Sequence, residues 1–331
     1  MNNDKNIELI SKRLGLHRWQ VENCIRLMEG GATIPFISRY RKEMTGSLDE
    51  VTISSIKDEN NRLKELDARI ESVKKSIEEQ GKMTPELLLK IESAPTMSEL
   101  EDIYLPYRPK RRTRATIAKE KGLEPLAEII FKQDETDPEI RAEQFLNEDV
   151  ADIAEAVSGA RDIIAEWISE DKTARTRLRN LYDKEAVIYS RVIKGKETDG
   201  NKFSDYFDWS EPLKKCPSHR LLAMRRGEEE GFLRLSIKLE DENALAILKS
   251  VFIRSANKSS EIVDEAVSDS WKRLLSSSME TEFRNIAKEK ADEEAIRVFA
   301  DNLRQLLLAP PLGEKNILAI DPGYKTGCKI V

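Results

Sequence analysis

Apolar residues recur along most of this chain at steps of three and four, the period of an amphipathic helix. Ile7, Leu9, Ile10 and Leu14 line one short helix; Val21, Cys24, Ile25 and Met28 line a second, stopped at Gly30-Gly31. Pro35 fits the first turn of a third. Ile56, Leu63, Leu66, Ile70, Val73 and Ile77 then follow heptad-like steps, the a/d seam of one long helix packed in a hairpin or coiled-coil manner. Ser47 and Glu50 have capping-box spacing at its head, and Gly81 ends it. Thr84-Pro85-Glu86 supplies a cap, an N1 proline and a first-turn acid for the next helix, and Ser98 with Glu101 repeats the capping-box spacing. Asp137-Pro138 opens an acidic helical stretch whose stripe is Ile153, Val157, Ile163, Ile164, Trp167 and Ile168. From about Asn243 to Leu308 the pattern is helical again, with Phe299, Leu303, Leu306 and Leu307 as its last stripe before Pro310-Pro311.

The period shortens at only three places. Val187-Ile188-Tyr189 and the alternating run Phe232–Leu239 predict two strands that pair antiparallel. Between them Phe203, Tyr206, Phe207 and Trp209 form the densest aromatic cluster, expected to anchor a loop. At the end, Ile317–Ile320 predicts a buried strand with Asp321 at its end and a Pro322-Gly323 turn, and Lys329-Ile330-Val331 starts another. Two strands of an unfinished sheet cannot bury their faces, so the chain is expected to be a fragment cut inside its next domain.

Composition narrows the function classes. The 331 residues are 35% charged and 6% aromatic, which suits a helix-rich globular protein of about two domains. No apolar run approaches the ~20 residues of a membrane span, and the start has no apolar signal core, so a cytoplasmic location is expected. Cys24, Cys216 and Cys328 stand alone and far apart, without a C-x-x-C pair. His17 and His219 are the only histidines, too few for a histidine zinc site or a Ser-His-Asp centre. No cofactor and no enzymatic activity are expected.

Charge is where the sequence becomes specific. The formal charge is −6, yet the stretch Ile103–Pro125 holds Arg108, Lys110, Arg111, Arg112, Arg114, Lys119 and Lys121 against only Glu120 and Glu124. Pro106 and Pro109 bracket Tyr107, which predicts an extended, exposed strap over Leu105–Lys110. Tyr104 and Tyr107 stand at its start. Guanidiniums bind phosphate bidentately and aromatic faces stack on bases, so such a strap suits nucleic acid. The alternative is a strap whose arginines pair with the acidic stretch Asp137–Glu170, which has ten acids against Arg141 and Arg161. Lys172–Lys194 turns basic again, and Lys172, Arg175 and Arg179 share a helical face, either solvated or tracking phosphates. Arg39, Arg41 and Lys42 form a smaller cationic cluster beside Tyr40.

Four segments carry a resemblance: IPFISRYRKEMTGSLDE (34–50), YLPYRPKRRTRATIAKEKGLEPLA (104–127), DYFDWSEPLKKCPSHRLLAMRRGEEEGFLRL (205–235) and ILAIDPGYKTGCK (317–329). In this order they resemble signature segments of the Tex family of bacterial transcription accessory proteins and, more distantly, the core of the related eukaryotic elongation factor. The resemblance implies an N-terminal helical region with a helix-turn-helix-like unit over 1–185, a helical region with a small β element over 186–313, and the first strands of a YqgF-type, RNase-H-like domain over 314–331. The expected fold is therefore mainly α: a multi-helix scaffold with a small antiparallel β element and the start of an α/β domain. Asp321 would occupy the place of one metal-holding carboxylate in RNase-H-like nucleases; a two-metal site needs several. The expected function is a non-catalytic, nucleic-acid-binding scaffold of a transcription accessory protein. Its expected partners are RNA or DNA and the transcription machinery, with no membrane, and the contact residues are Tyr104, Tyr107, Arg108, Lys110, Arg111, Arg112, Arg114, Lys119, Lys172, Arg175 and Arg179. The alternative is a protein-interaction scaffold that touches no nucleic acid.

Overall fold

The computed structural model describes residues 3–109, 112–134, 137–311, 313–323 and 327–330. Helix accounts for 70% of it, so the fold is mainly α. The helices are α1 (Asn3–Leu14), α2 (Arg18–Glu29), α3 (Ile34–Tyr40), α4 (Lys42–Thr45), α5 (Glu50–Glu79), α6 (Pro85–Glu92), α7 (Met97–Tyr104), α8 (Arg114–Glu120), α9 (Glu124–Lys132), α10 (Pro138–Ala142), α11 (Ile153–Glu170), α12 (Lys172–Glu185), α13 (Ser218–Glu229), α14 (Asp241–Phe252), α15 (Lys258–Ser270) and α16 (Ser276–Leu307). The strands are β1 (Val187–Val192), β2 (Asp208–Pro212), β3 (Leu233–Lys238), β4 (Ile320–Gly323) and β5 (Gly327–Ile330). They fold into two units, each discontinuous in sequence: residues 1–177 with 245–271, and residues 178–244 with 272–331.

In the first unit the predicted seam is the organising element. Ile53, Ile56 and Leu63 of α5 pack with Ile7, Ile10, Val21, Cys24, Ile25 and Ile37 of α1–α3. Leu66, Ile70, Val73 and Ile77 of the same helix pack with Leu87, Ile91, Leu100 and Tyr104 of α6 and α7. Thirty residues at 1.5 Å each give a rod about 45 Å long, long enough to serve two cores in succession. Its cap differs from the expected one. Gly46 and Ser47 both take positive φ (67° and 62°), so the chain is still turning at Ser47, and Asp49 caps α5 by accepting the Thr52 N–H at 2.8 Å. A β-carbon at Gly46 would lie 2.9 Å from the Trp19 ring and 2.7 Å from the Gln20 amide. Likewise Thr96, not Ser98, caps α7, accepting the Glu99 N–H. Thr84 caps α6 as expected.

The rest of this unit packs around α11, against which α8, α9 and α15 lie. Gln133 ends α9 with φ 60°. Its amide donates to the Phe252 carbonyl at 2.7 Å and accepts the Arg254 N–H at 2.9 Å, while its own carbonyl accepts from Asn257. One buried amide thus satisfies the backbone where α14 ends and α15 begins.

The second unit holds a three-stranded antiparallel sheet in the order β2-β1-β3. The predicted pair is present, with Ile188 opposite Ile237 and Ser190 opposite Leu235. The third strand, β2, is a correction to the loop expected there: Trp209 pairs opposite Ser190, while Phe203 is buried and packs on Phe232. The outer edge of β3 is met by helix side chains. Glu228 of α13 accepts the Leu235 N–H, Glu280 of α16 accepts the Ile237 N–H, and Arg284 donates to the Leu235 carbonyl at 2.8 Å. Tyr182 stacks on Phe283 at 4.8 Å, and burial pushes its phenol pKa up. The far half of α16 departs from expectation, because Phe299, Leu303, Leu306 and Leu307 are exposed. So are Ile317, Leu318 and Ile320: the expected buried strand starts only at Ile320, where β4 pairs with β5 as a hairpin.

One pair in the first unit stands out energetically. Arg175 Nε lies 2.8 Å from Asp102 Oδ1 with both side chains almost fully buried. Removing one partner leaves a charge inside without its counterion, which costs about 3–5 kcal/mol. Arg175→Ala and Asp102→Ala should each lower the unfolding free energy by about that amount, with the double variant losing less than the sum. A denaturant-melt cycle over the four proteins measures it.

Candidate nucleic-acid interface

The basic segment is built on the second half of α5. Tyr104 closes α7 with its ring in the core, its hydroxyl 2.9 Å from Ser76 Oγ, and the Arg69 guanidinium 5.4 Å from the ring centroid. The chain does not then extend. Leu105–Tyr107 forms a 3-10 turn with Pro106 in its first positions, and Gln80 donates to the Tyr107 carbonyl at 2.7 Å. The proline's fixed φ suits such a turn as well as an extended strand. Core packing of Tyr104, with Tyr107 half-buried against the same core, decides between them. Extended backbone begins only at Arg108.

Beyond it the segment is cationic and solvent-facing. Arg108, Arg112 and Arg114 are exposed. Arg112 pairs with the exposed Glu120 at 2.8 Å. Arg108 and Arg114 make no ion pair among the described residues; Lys110 and Arg111 lie outside those residues. Thr113 caps α8, accepting the Thr116 N–H at 3.0 Å, and its hydroxyl donates to Glu166 of α11. Behind the segment, Ala115 and Ala118 are buried against α11. A β-carbon at Gly159 would sit 2.4 Å from Leu123 Cδ1 and 3.3 Å from Ala118 Cβ, so only glycine permits this approach. Among the described residues, ion pairing with the acidic helix is made at the far end: Lys121 meets Glu155 at 2.5 Å, and Lys119 lies 5.9 Å from the Trp167 centroid while pairing with Glu124.

The structure therefore divides the residues that the sequence grouped together. Lys172, Arg175 and Arg179 do share a helical face; Arg175 is buried and Arg179 half-buried, which corrects the solvated and phosphate-tracking expectations for those two, whereas Lys172 stays exposed. Lys172 pairs with Glu99 and Arg175 with Asp102, both on α7. Arg179 bonds Glu282 of α16 at 2.5 Å within the second unit. Tyr104 is likewise a core residue and offers no free face. Spacing on a helix cannot separate an outward cation from one aimed at a buried acid 73 residues away. The tethers Ser76 and Gln80 carried no signal of their own.

Comparison with known proteins fits this architecture. The family model for the Tex central region-like fold matches residues 133–299, half of the chain, and that for the Tex-like protein N-terminal domain matches residues 4–78. The chain belongs to the Tex family. It is 42% identical to the transcriptional accessory protein Tex of Neisseria gonorrhoeae, over 97% of this chain and 43% of that protein. It is 41% identical to protein tex of Bordetella pertussis, over 98% and 43%. A human S1 RNA-binding domain-containing protein is 29% identical over 98% of this chain and 34% of its own length. The Tex-family chain spans less than half the length of these relatives. Among the described residues no helix is long and apolar enough to cross a membrane, and no group of three or more His, Cys, Asp or Glu side chains could hold a metal ion.

Gly159→Ala should push the buried Leu123 side chain and crowd Ala118, destabilising the fold by about 1–3 kcal/mol, the usual cost of overpacking a filled core. A thermal melt of this variant measures the shift, and Gly122→Ala, at a turn where no atom lies within 4 Å, is its control for strain of backbone alone.

Proposed function

We propose that this chain is a non-catalytic, nucleic-acid-binding part of a transcription accessory protein, and that its phosphate contacts come from the segment 108–114. The single observation that carries this is the state of its cations. Among the described residues Arg108 and Arg114 are exposed without an acidic partner, and Arg112 has only a surface partner, so three cations stand close together in sequence on one exposed stretch. Surface pairs contribute about 0–1 kcal/mol, so Arg112 can exchange Glu120 for a phosphate at little cost. Lys110 and Arg111, between them in sequence, add two more cations to the same stretch. The relatives' names support the reading, one as a transcriptional accessory protein and one as an S1 RNA-binding domain-containing protein.

The finer readings belong here as well. The packed α1–α5 region suits the helix-turn-helix-like unit that the family resemblance implies, and β4–β5 suits the opening of a YqgF-type, RNase-H-like domain. A cytoplasmic location follows from the same relationship. The scaffold alternative gains one specific observation: Lys172, Arg175 and Arg179 of α12 pair with acids on other helices.

Replacing Arg108, Arg112 and Arg114 together by alanine should weaken binding to unrelated sequences about equally. It should also lower the log–log salt slope by about 0.7 per lost contact on single strands and about 0.9 on duplex. The melting temperature should stay within error of the parent, since none of the three supports a core. Unchanged affinity and slope in a salt-titrated anisotropy assay would move the function to the scaffold reading.

A further inference from the structure

We propose a second nucleic-acid contact in this chain, separate from the basic segment: a base-stacking platform on α3 formed by Phe36, Tyr40 and Arg41, for single strands. Three observations place it. First, Phe36 and Tyr40 stand one helical turn apart with ring centroids 5.4 Å from each other, and they remain 40% and 65% exposed. Adjoining exposed aromatic rings rimmed by polar residues are the kind of patch that marks a contact surface. Second, the Arg41 guanidinium lies 5.1 Å from the Phe36 centroid, with Nη1 anchored on the Tyr40 carbonyl at 3.1 Å. The two rings are inclined at 41° to each other, and the guanidinium sits over one of them, so the patch combines aromatic faces with a cation. Third, the mount is rigid. Ile37, between the rings in sequence, is fully buried in the core of α1–α3 and α5, and Ser38 is fixed to the Pro35 carbonyl and to Glu50.

The rim selects the ligand class. Arg39 is paired with Glu50 at 3.3 Å, whereas Lys42 is exposed with no ion pair among the described residues; the acid beside it in sequence is Glu43. Exposed aromatic faces with a guanidinium beside them and an ammonium at the rim match an unstacked base and its phosphate, since every base has a π-face and every phosphate a charge to neutralise. A duplex hides its base faces, so the platform discriminates single from double strands, which a row of cations does not. The basic segment cannot supply this function itself, because Tyr104 is buried and Tyr107 half-buried.

The test uses the whole 331-residue chain with a fluorescein-labelled oligo-uridine of about 12 nucleotides, within the site sizes known for stacking grooves. Tyr40→Ala, alone and with Phe36→Ala, should weaken its binding about 5- to 150-fold per stacked base lost. The salt slope should not change, and binding to a duplex of the same length should be affected less than threefold. Tyr40→Phe should keep near-parental affinity, because a ring is what is required. Photocrosslinking the unaltered chain to 5-iodouridine in the same probe should label Phe36 or Tyr40, an outcome that does not depend on any variant folding. Parental affinity of the alanine variants, equal losses on single strand and duplex, or crosslinks confined to residues 104–121 would each overturn the platform. Unchanged oligo-uridine binding would leave the patch to a protein partner. If the alanine variants bind normally while the triple arginine variant does not, the platform fails and the segment reading stands; if the parent chain binds neither probe, both fall.

Discussion

The first unit depends on a single uninterrupted seam. Alternating three- and four-residue steps keep one face of α5 apolar for its whole length, and that face is shared between two cores that have no other long element in common. Burial of about 25 cal/mol per Å² is the dominant favourable term in each core. A polar substitution near Leu63 or Leu66, where one core gives way to the next, would therefore trouble both. The same helix sets the position of the basic segment, because its last turns hold Tyr104 and Tyr107 through Ser76 and Gln80. The N-terminal aromatics on α3 rest on its first turns through Ile37. Both surfaces proposed to meet nucleic acid are thus referenced to one rod.

What could be read from the sequence was what repeats locally. The α5 seam, the Thr84-Pro85 start and the pairing of the Val187 and Phe232 runs are set by period and by chemistry within a few residues, and they appear as expected. Helix caps were less legible. Ser47-x-x-Glu50 and Ser98-x-x-Glu101 have the right spacing, yet the backbone enters the helix two residues later in one case and earlier in the other. Capping depends on where an extended φ/ψ pair meets the first turn, and the spacing of side chains does not encode that. The strand β2 was hidden because Asp208–Pro212 has no alternation of its own; it is a strand because β1 offers it a ladder.

The basic segment was legible in the sequence and the setting of its individual residues was not, for a common reason. Cationic residues at helical spacing look alike whether they meet water, phosphate or a buried carboxylate. Lys172, Arg175 and Arg179 were indistinguishable from Arg108, Arg112 and Arg114 until Glu99, Asp102 and Glu282 were placed beside them. Two tyrosines flanking a basic run looked like stacking faces, but the tighter constraint was the apolar wall beneath them. Conversely, the aromatic pair on α3 carries little signal in the sequence, since a lone tyrosine beside three cations is common. Its meaning comes from what the fold leaves uncovered.

The edge of β3 has a consequence of another kind. Its outward N–H and C=O groups are satisfied by Glu228, Glu280 and Arg284, side chains that belong to helices and not to a neighbouring strand. That guard can be removed without touching the sheet. Loss of Glu228 would free the Leu235 N–H and release Arg284, which the same carboxylate holds at 2.5 Å. An alternating apolar strand with bare backbone groups would then be open to pairing with an identical strand of another molecule. Substitutions here should act less on the folding of one chain than on the tendency of many chains to associate.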